Sequence, residues 1–445
     1  MPRVGDVFQL LSGTLAVPNT TIQSGPYNAQ QQDWVTEANS PRPISAGGTG
    51  STTAASARTG LGAIGVGDLS GADTKAAVVE TDSVVIIDSE DDNTNKRWLV
   101  SDITAYMRTI SPPTGLNRNR LVNGAFQITQ EIATGSTVTG NGNYPADQWK
   151  INHTGLTTGI VQAVHQVQPS GQPYGLHLQV TADQATVSTG YWLLTQAVEG
   201  LRTSDFNWGF DVGKPAVLRL RIQVNTAGTY GFFIRNNPAT HTYAGTFTIS
   251  SEEVGSAVEK AIPIPVPVVG TWAADNTAGI TVGFTMAAPA ANLRATSGWY
   301  AGASIYGVTG QLNAINTLNA EITFFSVGLY LDPDSTGVAP KWEMPDEAEE
   351  LAACQRYWFR GVSGNSAGYR TMHAALAICD AGSIAFPVTM RVAPAAATLT
   401  APIMANCSSP VPTPGGTNDA GIRVSVTAAG SYRAYSGEYS FNARV

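Results

Sequence analysis

The residues whose types and spacing come nearest to covalent chemistry are Gly364, Ser366 and Gly368, which spell the G-x-S-x-G of a nucleophile elbow. That elbow works only with an acid and then a histidine later in the chain, and with a strand before the serine and a helix after it. Here the last histidine is His373 and Asp380 comes after it, so the order is reversed. The surrounding text is not α/β. A glycine-rich surface loop is expected, and no catalytic residue is assigned.

Other patterns that could carry chemistry fail on context. Gly60, Gly62 and Gly65 fit G-x-G-x-x-G, but they follow Ser/Thr/Ala text where a dinucleotide fingerprint needs a hydrophobic strand. Asp88, Glu90, Asp91 and Asp92 lack the glycine and distal glutamate of a calcium loop, and a solvated turn is expected. The five histidines, at 153, 165, 177, 241 and 373, show no ligand spacing, so no metal site and no cofactor are expected. Glycoside hydrolysis needs only two carboxylates at a fixed separation, which a sequence does not reveal, and it stays open as an alternative.

Aromatic side chains are the remaining functional group, because sugar rings stack on indole and phenol faces while their hydroxyls bond to Asn, Gln, Asp and Arg. Trp208 lies beside turn residues and Trp299 follows a Thr-Ser-Gly turn. Near the end of the chain Tyr369, Arg370, Tyr432, Arg433 and Tyr435 stand among Ser and Gly, a mixture suited to adaptable contact surfaces. These seven residues are the candidate receptor contacts. Core packing is the competing role for Trp208, Trp299, Tyr191, Trp192 and Tyr300, and subunit packing is that for Tyr439 and Phe441.

The elements that must position such residues are strands. Ala216–Val224 alternates strictly, with Leu218, Leu220, Ile222 and Val224 on one face and Arg219, Arg221 and Gln223 on the other. Segments at 176–180, 229–235, 280–286 and 322–331 repeat the pattern between Gly, Pro and Asn turns, which argues a β-sandwich. Prolines at 263, 265 and 267 remove alternate ladder donors, so that stretch must be an edge strand or an extended segment.

The chain has 445 residues, enough for two to four domains, and 43% hydrophobic content is enough for their cores. Only 13% of residues are charged, against a usual ~25%, so the surface must be rich in uncharged polar residues, as suits an extracellular β protein. A net charge of −8 with no basic run excludes a nucleic-acid footprint. Three cysteines, Cys354, Cys379 and Cys407, have neither disulfide-framework nor zinc spacing, and buried free thiols are expected. No apolar stretch is long enough to span a bilayer, and the N-terminus lacks the apolar core of a signal peptide, so no membrane insertion and no self-export are expected.

Residues 1–70 read as an extended anchor followed by a Gly/Ala/Thr connector at 45–62, which is too poor in bulky residues to fold alone. Residues 71–115 read as a small module, with Val84–Asp88 a buried strand, 89–96 a turn, and 97–107 a strand then a short helix capped by Ser101 or Asp102. Residues 116–345 read as the sandwich and 346–445 as a further small β-domain.

Residues 20–65, with Ser24-Gly-Pro-Tyr27, Trp34, Ser40-Pro-Arg-Pro-Ile44 and the connector, resemble the N-terminal region of tailed-bacteriophage tail fibres and appendages. Residues 119–127 (NRLVNGAFQ), 144–150 (YPADQWK), 198–201 (VEGL), 228–236 (GTYGFFIRN), 327–331 (VGLYL) and 350–359 (ELAACQRYWF) resemble the jelly-roll module of phage fibres that is similar to carbohydrate-binding modules. The resemblance implies an all-β fibre with a jelly-roll-like sandwich, a small C-terminal β-domain and an N-terminal virion anchor. It implies that Tyr27, Trp34, Pro41, Arg42 and Pro43, within residues 1–44, grip baseplate, tail or collar proteins. The chain is then expected to be a homotrimer on the virion that binds a host surface polysaccharide without covalent chemistry. A collar, neck or head decoration protein, and a depolymerase or esterase, are the alternatives.

Overall fold

The computed structural model describes residues 117–168, 173–362, 370–372, 378–394, 396–400, 403–405, 411–425, 430–435 and 438–444. Before these it describes only short pieces: 3–4, 7–8, 21, 24–39, 53, 56–57, 79, 81–88, 94–100 and 102–103. Ser366, Tyr369, His373, Cys407, Pro41, Arg42, Pro43 and most of the connector lie outside the described residues. The chain divides into two units, 1–102 and 103–445.

In the first unit β1 (Arg3–Val4) pairs with β2 (Val7–Phe8), and helix α1 spans Ser24–Asn39. The helix departs from the extended anchor expected there. Its Ala-Gln-Gln-Gln run is made of good helix formers, and Pro26 falls in the first turn, where no intrahelical donor is needed. Tyr27 and Trp34 are both exposed, and their spacing of seven puts them on one side of the helix. β3 (Ser83–Asp88) and β4 (Thr94–Leu99) form the expected antiparallel pair, with helical residues starting at Val100. Val84 is exposed, against the buried strand expected, and among the described residues β3 pairs with β4 alone.

The second unit is built on two six-stranded antiparallel sheets in a jelly-roll-like sandwich. Its strands are β5 (Thr137–Val138), β6 (Lys150–Thr154), β7 (Ile160–Val167), β8 (Tyr174–Ala182), β9 (Tyr191–Glu199), β10 (Ala216–Val224), β11 (Gly228–Asn236), β12 (His241–Ile249), β13 (Val258–Ile264), β14 (Ala278–Ala287), β15 (Leu293–Arg294), β16 (Gly298–Ala301), β17 (Gly307–Val308) and β18 (Glu321–Leu331). The first sheet runs β13, β10, β18, β8, β7, β5 and the second β16, β12, β11, β14, β9, β6, while β15 and β17 form a short parallel pair. Leu218, Leu220, Ile222 and Val224 all point into the core, as their alternation requires. They meet Trp192, Leu194, Phe232, Ile234, Val282 and Phe284 from the second sheet. β13, which carries Pro263, is an edge strand of the first sheet, the one place its missing ladder donor costs nothing.

Helix α2 (Glu347–Gln355) follows, capped by Asp346, whose carboxylate accepts from the amides of Ala348 and Glu349. Beyond it lie three small sheets. The first pairs β19 (Trp358–Val362), β27 (Glu438–Asn442) and β22 (Ala396–Thr400), the second β20 (Arg370–Met372), β26 (Gly430–Tyr435) and β23 (Ile403–Ala405), and the third β21 (Ile378–Ala385), β25 (Asp419–Ser425) and β24 (Val411–Pro414). Phe359, Ile384, Phe386, Met390, Ala420 and Phe441 form a core of their own.

Candidate functional site: a polar cleft on the second sheet

In an antiparallel sheet, residues directly opposite one another share a face. Register therefore lays out the outer face of the second sheet as transverse rows. Lys150 on β6 faces Thr195 on β9, Thr195 faces Gly283 on β14, and Gly283 faces Phe233 on β11. The neighbouring row is Ala197, Thr281 and Arg235, and on the other side Asn152 stands opposite Leu193. Strands apolar towards the core thus turn short polar and cationic side chains outward.

One half of this face is roofed. Residues 288–312 cross it, and Tyr306 packs on Tyr191 and Phe233 with ring centroids 4.8 and 5.5 Å away. Thr285 Oγ1 donates to the carbonyl of Tyr306, and Arg235 Nη1 donates to that of Ala303 at 3.3 Å. Gly283 has no side chain because the Phe233 ring lies across it, 2.3 Å from where a Cβ would stand.

The other half is open. It forms a cleft of about 390 Å³ whose floor is Lys150, Asn152, Thr195, Ala197, Thr281 and Arg235. The walls are Tyr144 and Gln148, from the loop before β6, and Arg391 and Arg444, from the segments that follow β21 and β27, and the two walls meet where Arg444 stacks on Tyr144. Arg391 is fixed by carbonyls, its guanidinium donating to Ala443, Asn276 and Arg444 at 2.9, 2.6 and 3.0 Å. Burial lowers its pKa from the ordinary guanidinium value. Arg444 lies 3.6 Å above the centre of the Tyr144 ring and donates to Glu131 at 2.6 Å. Burial raises the Tyr144 pKa, and the Arg444 charge opposes that rise. Among the described residues no Asp or Glu lines the cleft. The paired carboxylates of a glycosidase are therefore missing from this site.

A buried network holds the two walls together. Glu199, at the end of β9, accepts from Arg356 Nε and Nη2 at 2.9 and 2.6 Å and from the Tyr357 hydroxyl at 2.9 Å. Asn123 donates from its amide to Glu350 at 2.6 Å and from its side chain to the carbonyls of Ile128 and Asp147. Trp149 Nε1 donates to the Asn123 carbonyl, and Gln196 exchanges hydrogen bonds with the backbone of Val122. The spans 119–127, 144–150, 198–201 and 350–359 therefore meet at one junction, where they act on the fold.

Of the seven receptor candidates Tyr369 lies outside the described residues, and the other six fall on two groups of elements, Trp208 with Trp299 and Arg370 with Tyr432, Arg433 and Tyr435. Trp208 is 3% exposed and belongs to the core, which corrects its expected place on a contact surface. It packs edge-on against Trp272 and Trp299, with centroids 5.0 and 5.5 Å away, and its Nε1 donates to the Lys214 carbonyl at 2.8 Å. Trp299 is half-buried on β16, its Nε1 spent on the Pro265 carbonyl at 2.8 Å. Arg370 sits opposite Tyr432 where β20 pairs with β26, and Arg433 and Tyr435 stand opposite Ala405 and Ile403. The cleft residues were missed because each is an ordinary polar residue on its own strand. The available signal was the Tyr144–Lys150 motif followed by Asn152, alternating outward from a buried Ile151. Among the described residues no group of His, Cys, Asp and Glu could hold a metal ion, and no helix is long and apolar enough to cross a membrane.

No protein-family model and no curated protein matches the chain. Among solved structures it is similar to the enzymatically active domain of tailspike protein 4 from bacteriophage CBA120, at 14% identity and TM-score 0.25 over 48% of this chain and 21% of that one. The match thus spans about a fifth of the tailspike. It is also similar to the family 11 carbohydrate-binding module of Clostridium thermocellum in complex with a β-1,3-1,4-mixed-linked tetrasaccharide, at 12% identity and TM-score 0.23 over 45% of this chain and 97% of the module. A CBM4 structure matches at 13% identity and TM-score 0.24, over 47% of this chain and 98% of that one.

Proposed function

We propose that this chain is an appendage protein of the phage tail-fibre kind whose sandwich binds a host-surface saccharide, without covalent chemistry, in the cleft on the second sheet. The observation that carries the binding site is the open half of that sheet. Four strands, β6, β9, β14 and β11, present a floor of polar and cationic side chains between the two walls, and among the described residues no carboxylate lines it. Such a floor suits a ligand dense in hydroxyls, each needing a donor or an acceptor. The tail-fibre role and the homotrimer rest on the sequence resemblance of residues 20–65 and on the Gly/Ala/Thr composition of the connector at 45–62. Exposed Tyr27 and Trp34 on one side of α1 supply apolar contact for an anchor. Three copies on one virion would turn weak single-site affinity into avidity.

The test is binding of purified full-length protein to intact host cells, competed with the purified surface polysaccharide, beside the variant Thr281→Trp. Thr281 points out from the cleft floor, so an indole there fills the cleft and leaves the core alone. Saturable, competed binding that Thr281→Trp removes supports the reading. Competed binding that survives Thr281→Trp moves the receptor site elsewhere, and no competed binding favours a decoration role.

A further inference from the structure

The cleft runs against the net charge of the chain. The chain carries a net charge of −8, yet Lys150, Arg235, Arg391 and Arg444 line one cavity, and among the described residues no carboxylate lines it. Among the described residues only Arg444 of the four has an ion-pair partner, Glu131. Arg391 is held by carbonyl oxygens, and the charge of Glu199 opposes the lowering of its pKa by burial without forming an ion pair with it.

A second observation is independent of charge. The Gln148 side-chain amide nitrogen and the Nε and Nη2 of Arg444 are buried with no hydrogen-bond partner. Gln148 is 5% exposed and the Arg444 side chain 5% exposed, and both line the cleft. Buried donors without acceptors are rare in native proteins, because each forfeits its hydration. Gln148 is also held at φ 69°, in the left-handed region that a non-glycine residue adopts at a cost. The turn in which the Trp149 amide donates to the Ala146 carbonyl keeps it there. Two lining residues with unpaired donors, beside Lys150 and Arg235 with no ion-pair partner among the described residues, favour an anionic acceptor.

We propose that the saccharide bound in this cleft is acidic: a glycan whose sugars carry carboxylate groups, seated against Lys150, Arg235 and Arg391 with its acceptor oxygens towards Gln148 and Arg444. This rests on the saccharide-binding reading above and narrows it. Arg235 and Lys150 come from opposite sides of the sheet floor, so a chain crossing the cleft would meet a cation at each side. The charges sit in a concave, partly desolvated site, where attraction is stronger than on an open surface.

The test uses oligogalacturonate and oligoguluronate, the fully methyl-esterified form of the first, and neutral mixed-linkage glucan oligomers, titrated calorimetrically into the full-length protein at two salt concentrations. The acidic oligomers are expected to bind at least about tenfold more tightly than the ester or the glucan, as expected for hydrogen bonds to a charged partner. That advantage should shrink as salt rises from 50 to 500 mM, on the order of the screening expected over a Debye length. The double variant Lys150→Gln/Arg235→Gln, whose side chains take no part in the buried junction, should erase the preference while the protein stays folded by circular dichroism. Equal or tighter binding of the neutral oligomers, lost in Thr281→Trp, overturns the acidic preference and leaves the saccharide site standing. A preference for the acidic oligomers that survives the double variant also overturns the proposal. Binding of none of the four ligands overturns this inference and counts against the reading on which it rests.

Discussion

Arg356 grips Glu199 with two parallel hydrogen bonds, 2.9 and 2.6 Å long, across a sequence separation of 157 residues. Glu199 is 2% exposed and ends a strand that lines the cleft floor, while Arg356 opens the segment leading to the opposite wall. The pair thereby sets the distance between floor and wall. Bidentate geometry suits guanidinium and carboxylate and resists sliding in a way that a single bond does not.

Replacing Glu199 by Ala should therefore be far more damaging than its position suggests. It leaves Arg356 and the Tyr357 hydroxyl without their acceptor, and breaking a buried pair from one side costs about 3 kcal/mol or more. Urea unfolding followed by tryptophan fluorescence should show that loss. A change within experimental error would mean that the junction does not hold the two parts together.

Burial raises the pKa of Asp147 and of Glu350 from their ordinary values. In the window between their unfolded and folded values the native state holds more protons than the unfolded chain, so the contribution of these two groups to stability falls as pH rises through their folded values. Mild acidification from neutral pH should thus be stabilising as far as these groups decide, and Glu350→Gln should flatten the dependence. Melting temperatures between pH 4 and 7 check the sign, and a wild-type curve no steeper than that of Glu350→Gln contradicts it.

Cys354 is buried, is free of any disulfide, and has a thiol pKa pushed well up by burial and by the nearby Asp147 and Glu350. Under native conditions it should resist alkylation until the chain unfolds. Peptide mapping after iodoacetamide treatment separates it from Cys379 and Cys407, and rapid native labelling at Cys354 would contradict its packing.

Trp208 provides a control for the cleft. Trp208→Ala should cost about 3–5 kcal/mol, as for other large core aromatics. It should leave saccharide affinity unchanged in the fraction that stays folded, since its ring is closed off by Trp272 and Trp299. Lost affinity with intact stability would return Trp208 to the receptor surface.

How much of this was legible in the sequence can be followed residue by residue. The alternation of 216–224 and the prolines at 263–267 fixed a core face and an edge, because period two and a missing donor are local properties. Helix α1 was missed because no apolar stripe marks its sixteen residues, only helix-forming side chains. Trp208 misled for a physical reason: adjacency to a turn places a backbone at the surface, but not the indole, which folds back onto two others. The cleft was hidden because Lys150, Thr195, Arg235, Thr281, Arg391 and Arg444 become neighbours only through register and through the Glu199–Arg356 junction.

The most direct test of the account is a crystal structure of the full-length protein soaked with an oligosaccharide of the host surface. Sugar rings are expected to lie across Lys150, Thr195 and Thr281, between Gln148 and Arg391. Saccharide bound at the Trp299 end of the sandwich, or along the strands of Arg370 and Tyr432, with the cleft empty, would contradict it.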